Sequence, residues 1–278
     1  MFFAQFKNEL VKLFGKKRTY IGFGAFVLVQ VLMMFMFKYS HWQERTAQLL
    51  EGNGYIASEY ISVLTVSVVM LMPQIALLMP LYTTLVGGDM VAKEVEDGTL
   101  RMILARPISR FRLLLVKWTA GVFFGVLLVL LLGVSALALA GTMFPWKGMF
   151  VFVPGQAFSV LPAGSGLSRF IFAHLFLAMN AGVMLSIAFM FSCWNMKPAA
   201  ATILALSFLF VNAVLERIPF FEEFQNWFIT HHFASWLLVF QTPVPWPQII
   251  QSQIILIAVN VTAFIIGSMA FQTRDIKS

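Results

Sequence analysis

Six long apolar stretches constrain the fold of this chain more than any other feature of its sequence. A helix that crosses the hydrocarbon core of a bilayer needs about 20 consecutive, mostly apolar residues. The stretches that meet this requirement are roughly Tyr20–Phe37, Ile61–Val86, Leu113–Ala140, Phe170–Trp194, Pro198–Leu215 and Ile249–Phe271. We therefore predict an all-α polytopic membrane protein, with six transmembrane helices in a single transmembrane domain over residues 1–278.

The composition excludes a soluble globular domain. Hydrophobic residues make up 60% of the chain and charged residues only 11%, whereas about a quarter of a soluble domain is charged. The net charge of +7 would suggest nucleic acid in a soluble protein, but here we expect membrane lipid and no nucleic acid as the partner. The single cysteine, Cys193, excludes an internal disulfide and a multi-cysteine metal site, and we expect it to be a small apolar filler.

The distribution of lysine and arginine predicts the orientation of the six spans. With the N-terminus inside the cell, fourteen of the nineteen basic residues lie on the cytoplasmic side. The outer side keeps Lys38, Arg45, Lys147, Arg169 and Arg217. Acidic residues divide equally between the two sides, so the asymmetry is specific to basic residues, as the positive-inside rule requires. Both termini are therefore predicted to be cytoplasmic.

The segment before the first span, residues 1–18, has the pattern of an amphipathic interfacial helix. Its apolar residues fall on one helical stripe, and three lysines lie off that stripe. The stripe consists of Phe2, Phe6, Leu10, Leu13 and Phe14. A secretory signal peptide is excluded because no small-x-small cleavage site follows the first apolar run. A simple basic anchor beside the first span is the alternative interpretation.

The three outer segments differ in character. Lys38–Tyr60 is polar and contains an Asn53-Gly54 turn signal. Thr142–Ser168 is rich in glycine and proline and is predicted to be irregular. Residues 216–248 are too aromatic for a free loop, yet their acidic residues and prolines prevent a full span. We expect this last segment to be re-entrant, with short helices that dip into the outer leaflet and aromatic rings at headgroup level.

The cytoplasmic loop at residues 87–112 is predicted to contain a short helix. Gly87-Gly88 is expected to end the second span, and Asp97 to cap a helix that Gly98-Thr99 opens. Leu100, Ile103 and Leu104 then share one helical face, because their spacing is i, i+3 and i+4. An apolar face on a cytoplasmic helix requires a partner surface.

The end of this short helix is marked by a proline. Arg106 precedes Pro107 and is therefore pushed out of helical geometry. Ser109 can cap the long third span, with Arg110, Arg112 and Lys117 at the headgroups. An ordinary basic loop is the alternative, and it explains the arginines; it does not explain the four carboxylates, the Gly-Thr start or the proline stop.

The source of energy for any transport must lie outside this chain. Proton-coupled transporters carry carboxylates or histidines within the membrane, but the predicted spans hold acidic residues only at their ends. His174, within one or two turns of the outer end, is more typical of a hydrogen-bonded helix residue than of a proton relay. The chain has no Gly-x-x-x-x-Gly-Lys-Ser/Thr loop and so cannot itself hold ATP phosphates.

The 94–117 segment resembles the signature of the ABC type-2 transporter permeases. The matching residues are Glu94, Glu96, Gly98, Thr99, Leu100, Leu104, Pro107, Ile108, Ser109, Arg110 and Lys117. The segment departs from that signature at Arg101, where an acidic residue is common, and at Val116, where glycine usually precedes the lysine. The whole chain is also similar in plan, with an interfacial helix, six spans, a coupling helix between spans two and three, and a re-entrant segment before span six.

The resemblance implies how the chain would work. Leu100 and Leu104 would fill a cleft in a separate ATPase subunit, and Glu94 and Glu96 would pair with basic residues around that cleft. The turn that contains Asn195 and Lys197 would make a second, lesser contact.

The resemblance also implies the assembly and its location. Two ATPase subunits would bind ATP and magnesium, while this chain would bind no cofactor or metal and would have no catalytic residue. A second copy or a homologue would complete a dimer. The complex would be an exporter in the bacterial cytoplasmic (inner) membrane.

A few residues suggest other functional classes. A membrane hydrolase could use Ser165 between Gly164 and Gly166, but the Gly-x-Ser-x-Gly elbow is missing. His231 and His232 could bind a metal with the nearby Glu222 and Glu223, although adjacent histidines point to different helix faces. Intramembrane asparagine and glutamine residues are more typical of helix-to-helix hydrogen bonds. A passive channel, or an assembly protein driven by another cytoplasmic partner, stays open as an alternative.

Overall fold

The structure, a computed structural model, describes residues 2–104 and 108–273. Six helices in these ranges are long and apolar enough to cross a membrane, which confirms the predicted number of spans. They are Lys17–Tyr39, Val63–Glu96, Arg110–Gly141, Ala163–Ser192, Pro198–Glu216 and Trp246–Gln272. The chain is therefore an all-α integral membrane protein in its architecture, with one small strand pair between spans three and four.

We number the helices in chain order. They are α1 (Phe2–Phe14), α2 (Lys17–Tyr39), α3 (Trp42–Gly52), α4 (Ala57–Tyr60), α5 (Val63–Pro73), α6 (Met79–Glu96), α7 (Thr99–Leu104), α8 (Arg110–Gly141), α9 (Ala163–Ser192), α10 (Pro198–Glu216), α11 (Ile229–Phe233), α12 (Ser235–Leu238) and α13 (Trp246–Gln272). The strands are β1 (Met149–Val153) and β2 (Ala157–Leu161). We call the end of the bundle that carries α7 the α7 end, and the opposite end, which carries the two strands, the hairpin end.

Helix α9 is the centre of the bundle. In its most apolar window 67% of the residues are buried, compared with 22% in the first and fifth spans, α2 and α10. The buried core also includes long side chains such as Phe26, Phe124 and Phe240. The first and fifth spans therefore expose most of their apolar surface to lipid or to another subunit, since this chain does not cover it.

The second span continues beyond the point where the sequence predicts its end. Gly87-Gly88 was expected to end the helix, but α6 continues as far as Glu96. A side chain at Gly87 would meet the backbone of Leu185 in α9, and one at Gly88 would meet Thr202 in α10. The two glycines are therefore positions of close helix packing, which is the common use of small residues in membrane bundles.

A π-helical turn divides the second span into α5 and α6. It covers Gln74–Leu78 and is flanked by Pro73 and Pro80, which cannot donate backbone hydrogen bonds. The side-chain amide of Gln74 donates to the carbonyl of Met70 at 2.9 Å. Turns of this kind are rare inside helices and occur often at functional sites.

The segment between spans three and four is more regular than its composition suggests. Thr142–Ser168 was expected to be irregular, but it contains an antiparallel hairpin in which Met149 pairs with Leu161 and Val153 with Ala157. Gly155 turns the chain with a φ of +73°, a conformation that favours glycine. The fourth span then begins at Ala163, so His174 lies about three helical turns inside it and deeper than expected.

The other two flanking segments consist of helices. Helix α1 presents Glu9 and Leu13 to the protein core. Residues 216–248 form a 3-10 helix over Pro219–Trp227, followed by α11 and α12. The positions of α1 and of the 216–248 segment relative to the lipid headgroups stay predictions.

Candidate functional site

Helix α7 is joined to the second span by a tight turn. The sequence predicted Asp97 as the N-cap of a new helix, but Asp97 is the residue that ends α6, and its N–H donates to the carbonyl of Lys93. Gly98 follows with a φ of +70°, the left-handed conformation in which glycine commonly ends a helix. The hydroxyl of Thr99 donates back to the carbonyl of Glu94 at 3.3 Å. Helix α7 is therefore attached firmly to α6.

The apolar face of α7 is turned towards the protein itself. Leu100 was expected to fill a cleft in a partner, but only 3% of it is exposed. It packs in a small core with Met90, Leu113 and Phe189, and Ile103 packs partly against the same core. Leu100 is buried against the end of the second span and the start of the third. In this conformation its side chain therefore holds α7 on the bundle.

Met102 is an exposed apolar side chain of α7. Its exposed fraction is 67%, and it lies between Leu100 and Ile103, which face the bundle. The side chain of Leu104 and all of Pro107 lie outside the described residues, so their predicted roles stay predictions. A flexible, polarizable methionine is well suited to contact surfaces that change shape.

The third span begins where the sequence predicts. The hydroxyl of Ser109 accepts a hydrogen bond from the backbone N–H of Arg112 at 3.3 Å, which confirms the predicted cap. Nη1 of Arg110 donates to the carbonyl of Gln272, the last residue of α13, at 3.2 Å. Cations are favourable at helix C-termini. Arg110 therefore joins the start of span three to the end of span six.

The two glutamates of the predicted contact differ in their surroundings. Glu96 is exposed and pairs with Lys93 at 2.7 Å, on its own helix. Glu94 points inward, and its Oε1 accepts from Nζ of Lys117 at 2.6 Å and from Nζ of Lys12 at 3.1 Å. Glu96 is therefore available at the surface, whereas Glu94 is already bound within the chain.

Four charged side chains from three elements form a connected cluster at the α7 end. Lys117 in α8 donates to Glu94 and also to Oε2 of Glu9 at 2.9 Å, and Lys12 closes the ring by donating to Glu9 at 2.8 Å. Only 1% of Lys117 is exposed. We call this set, Glu9, Lys12, Glu94 and Lys117, the ionic cluster. It links the N-terminal helix to both spans that hold α7.

The electrostatics of α1 follow from this cluster. Burial raises the pKa of Glu9, but Lys117 and Lys12 lower it more, so its pKa falls below the usual value. Burial lowers the pKa of Lys12, but Glu9 and Glu94 raise it more, so its pKa rises. For Lys16, burial and the charge of Arg18 lower the pKa more than Glu94 and Glu9 raise it, so its pKa falls to about 8. The cluster thus favours the charged forms of Glu9 and Lys12.

Arg18 makes a second ion pair at this end, with Asp89 of the second span. Only 7% of Asp89 is exposed. The hydroxyl of Tyr82, about two turns before Asp89 on α6, donates to the carbonyl of Thr19 at 3.1 Å. The segment that joins α1 to α2 is therefore also fixed to span two.

The turn between α9 and α10 lies beside α6, the helix that leads into α7. Asn195 and Lys197, the predicted second contact, are exposed in this turn. Just before it, the hydroxyl of Ser192 accepts from the backbone N–H groups of Val91 and Ala92 at 3.0 and 2.8 Å. The turn is therefore attached to the part of α6 that leads into α7.

The sequence analysis missed the role of Glu9. It lies on the apolar stripe of α1, three residues after Phe6 and four before Leu13, where an acidic residue requires a buried partner. That position was the available signal. The identity of the partner was not readable, because Lys117 lies 108 residues away in sequence.

The residues considered for other functions have structural roles. Ser165 donates to the carbonyl of Pro162 at the start of span four. His231 pairs with Glu216 rather than with Glu222 or Glu223, and the ring of His232 contacts Ser252 and the carbonyl of Asn226. Within residues 2–104 and 108–273, no cluster of three His, Cys, Asp or Glu residues could hold a metal ion.

Helix-to-helix hydrogen bonds are predicted for five intramembrane amides; they are present for Asn180, Asn212, Asn260 and Gln253, whereas Gln251 is exposed. The amide of Asn180 donates to the carbonyl of Phe233, and that of Gln253 to the hydroxyl of Ser235. Asn260 accepts from the hydroxyl of Ser186. Cys193 is fully buried, in agreement with a filler role.

A cavity of about 1270 Å³ opens near the hairpin end. Its walls are apolar side chains of the second, fourth and fifth spans, and its rim comes from the 216–248 segment with Glu216, Arg217, Glu222 and His231. Asn180 also lines it; only 1% of this residue is exposed, and its Oδ1 has no hydrogen-bond partner among the described residues. The cavity therefore combines apolar walls with a charged mouth and one unused acceptor.

Comparison with known proteins places these features in context. A family model described as ABC-2 family transporter protein matches residues 6–224. The chain is also similar to the uncharacterized protein YhcI of Bacillus subtilis (strain 168), with 27% identity over 161 aligned positions. That match covers 46% of this chain and 51% of YhcI, so the chain spans about half the length of this relative.

Proposed function

This chain belongs to the ABC-2 family of transporter proteins, and we propose that it is the permease subunit of an ATP-driven transporter. The family is a transmembrane component of transport and not an enzyme in itself. ATP hydrolysis would take place on a separate ABC ATPase, which would bind ATP and magnesium.

The observation that carries this proposal is the construction of α7. A six-residue helix lies between two long spans, and Met102 on it is exposed. The opposite face is fixed to the bundle through Leu100. Such a helix can transmit a push from a soluble partner, because its attachment does not allow it to move independently of the spans. We propose that the ATPase contacts Met102, the exposed Glu96, and the turn of Asn195 and Lys197.

The ionic cluster extends the moving unit beyond α7. Because Lys117 bonds both Glu9 and Glu94, a displacement of α7 would carry α1 and the inner part of span three with it. The π-helical turn at Gln74–Leu78 supplies a point at which span two can bend. ATP-driven movement of α7 would thus be converted into rocking of the spans.

The assembly we propose has two permease subunits and two ATPase subunits. The second permease would be another copy or a homologue. The weakly buried faces of α2 and α10 are apolar surfaces on which it could pack. The positive-inside rule orients the α7 end towards the cytoplasm of a bacterial cell, with the chain in the inner membrane. We propose export as the direction, because the family resemblance favours it.

The cavity near the hairpin end suits an amphipathic substrate. Its apolar walls can hold a lipid-like portion, and the charged rim can contact a polar group. We propose that this cavity is part of the pathway. Ala213→Cys, in its lining, should react with a charged thiol reagent, whereas Val214→Cys, on the exposed exterior, should not, because lipid shields it. Cys193 is buried and gives little background; equal labelling of the two variants would remove the cavity from the pathway.

Co-purification tests the central proposal. The tagged full chain should retain a phosphate-loop ATPase from its native host, identified by mass spectrometry, and the purified complex should hydrolyse ATP. Met102→Glu should abolish this association, because it places a charge on the exposed contact face, while membrane insertion stays intact. Phe220→Glu is the matched control, since Phe220 is also largely exposed but lies in the segment at the hairpin end.

Two results would contradict the proposal. One is full transport activity in liposomes that contain the purified chain and no ATPase. The other is normal ATPase association in both Met102→Glu and Leu104→Glu, the substitution on the predicted apolar face.

A further inference from the structure

A second cavity lies away from the features used above. It occupies about 590 Å³ at the hairpin end, between α3, the α5 part of span two, and strand β1. Its volume falls within the range of about 300–1,000 Å³ that is typical of small-molecule sites. We call it the α3 groove. None of its lining residues belongs to the ionic cluster or to the proposed pathway.

The floor of the α3 groove is apolar and deep. Val68, Val69 and Met72 of α5 line it, together with Leu49 of α3 and Val151 of β1. From Thr65, near the mouth, to Met72 the helix rises by about 10 Å. The groove therefore extends from the polar surface well into the hydrocarbon layer that surrounds the bundle.

The mouth of the groove carries unused positive charge. Arg45 lines it, and its guanidinium has no ion pair or hydrogen bond among the described residues. His41 also lines the mouth and pairs with Glu44, a carboxylate that does not itself line the groove. The hydrogen bond that His41 donates to Glu44 raises the pKa of His41. The residues that line the groove thus include the cation of Arg45 and no carboxylate.

Aromatic side chains flank the same opening. Trp42 and Phe152 line the groove, and both are more than one-third exposed. Aromatic residues collect at the membrane–water interface, where an apolar ring meets polar headgroups. Their position indicates that the mouth opens at headgroup level, beside lipid rather than into bulk water.

From these features we propose that the α3 groove binds one acyl chain of an anionic phospholipid. The chain would lie along α5, and the phosphate headgroup would pair with Arg45. An acyl chain matches the apolar floor, and an anionic headgroup matches the free cation at the mouth. This inference rests on the geometry of the groove and does not require the proposed function.

Photochemical labelling of the full chain in nanodiscs tests this inference. The probes are phosphatidylglycerol and phosphatidylethanolamine, each with the same photoactivatable acyl chain. The anionic probe should label peptides of residues 65–72 and 150–152 more strongly than the zwitterionic probe does. Arg45→Gln should lower labelling by the anionic probe about fivefold, the effect of one basic side chain on an anionic lipid. Arg217→Gln, at an exposed arginine on the rim of the other cavity, should leave labelling of these α3-groove peptides unchanged.

A second pair of variants tests the acyl chain separately from the headgroup. Leu49→Trp fills the groove from the exposed helix α3 and should reduce labelling by both probes, whereas Gln48→Trp, outside the groove, should not. Equal labelling by both probes with no effect of Arg45→Gln would mean a non-selective lipid belt and would overturn the proposal. The proposal would also be overturned if labelling of the groove survived Leu49→Trp, or if a peptide instead of lipid were found in the groove.

Discussion

The two ends of the bundle are held together by different interactions. At the α7 end, α1, α6 and α8 meet through charged side chains, and the buried Lys117 joins two carboxylates. At the hairpin end, the segments are held mainly by backbone groups: strand pairing in β1 and β2, and Nη1 of Arg169, which donates to the carbonyls of Val239 and Gln241 at 3.2 and 2.6 Å. The difference indicates that the α7 end depends on a few specific charge pairs, whereas the hairpin end distributes its stability over many bonds to backbone groups.

The largest effect should come from removing the central charge of the ionic cluster. Lys117→Met leaves Glu9 and Glu94 close together with Lys12 alone to neutralise them, and loss of one partner of a buried ion pair costs about 3–5 kcal/mol. The free energy of unfolding in mixed detergent micelles, followed by tryptophan fluorescence, measures this. The control is Lys147→Met at the hairpin end, where the exposed pair with Glu59 contributes about 0–1 kcal/mol. Equal losses in the two variants would contradict the contrast between the ends.

A smaller effect is expected from the strongest single charge at the hairpin end. Arg169→Gln removes hydrogen bonds from a charged donor to two carbonyls, which costs about 1.5–3 kcal/mol. The same unfolding experiment applies, with Arg217→Gln as the exposed arginine control. If Arg169→Gln destabilised the protein more than Lys117→Met, the hairpin end would depend on charge as much as the α7 end does.

The cap of span three should contribute less again. Ser109→Ala removes the acceptor for the N–H of Arg112 and should reduce the free energy of unfolding by about 1 kcal/mol. Ser165→Ala, at the start of span four, is the control; its exposed hydroxyl donates to Pro162, and the change should stay within about 0.5 kcal/mol. No loss in Ser109→Ala would show that the start of span three is held by packing alone.

Titration of Glu9 should give the smallest effect, because protonation removes its charge but leaves the side chain in place. The pKa of Glu9 is lowered in the folded protein, so its contribution is present above the unfolded value of 4.5 and is lost as the pH falls through the lower folded value. The melting-temperature difference between wild type and Glu9→Gln should therefore be largest near neutral pH and should shrink below pH 4.5. A difference that stayed constant or grew in acid would reverse the assigned sign.

The sequence was sufficient for the features that depend on local pattern. The six spans follow from apolar length. The cap at Ser109 follows from residue type and position, and the helix at Thr99–Leu104 from its glycine and threonine start. Each of these is decided within one or two helical turns, which is the range over which sequence patterns are informative.

Features that depend on distant contacts were misread. Gly87-Gly88 is a strong stop signal by itself, but close packing against Leu185 and Thr202 requires glycine inside the helix. Leu100 has the spacing of a contact face, yet the direction of that face depends on Leu113 and Phe189. The hairpin at Met149–Leu161 was obscured by the glycine and proline content of its surroundings, and in β2 Phe158 is exposed while Ser159 is buried, so the apolar residues do not mark the buried face.

The π-helical turn in span two has a consequence for how the chain tolerates changes in length. A π-helical turn holds one residue more than an α-helical turn does, so deleting one residue from Gln74–Leu78 would let the turn close to ordinary α-helix and would leave the rotation of α6 unchanged. Deleting one residue between Met79 and Val86 would instead rotate Gly87 and Gly88 by about 100°, away from α9 and α10, and bulkier side chains would meet those helices. The wide turn is therefore the part of span two that can lose one residue without changing how α6 packs.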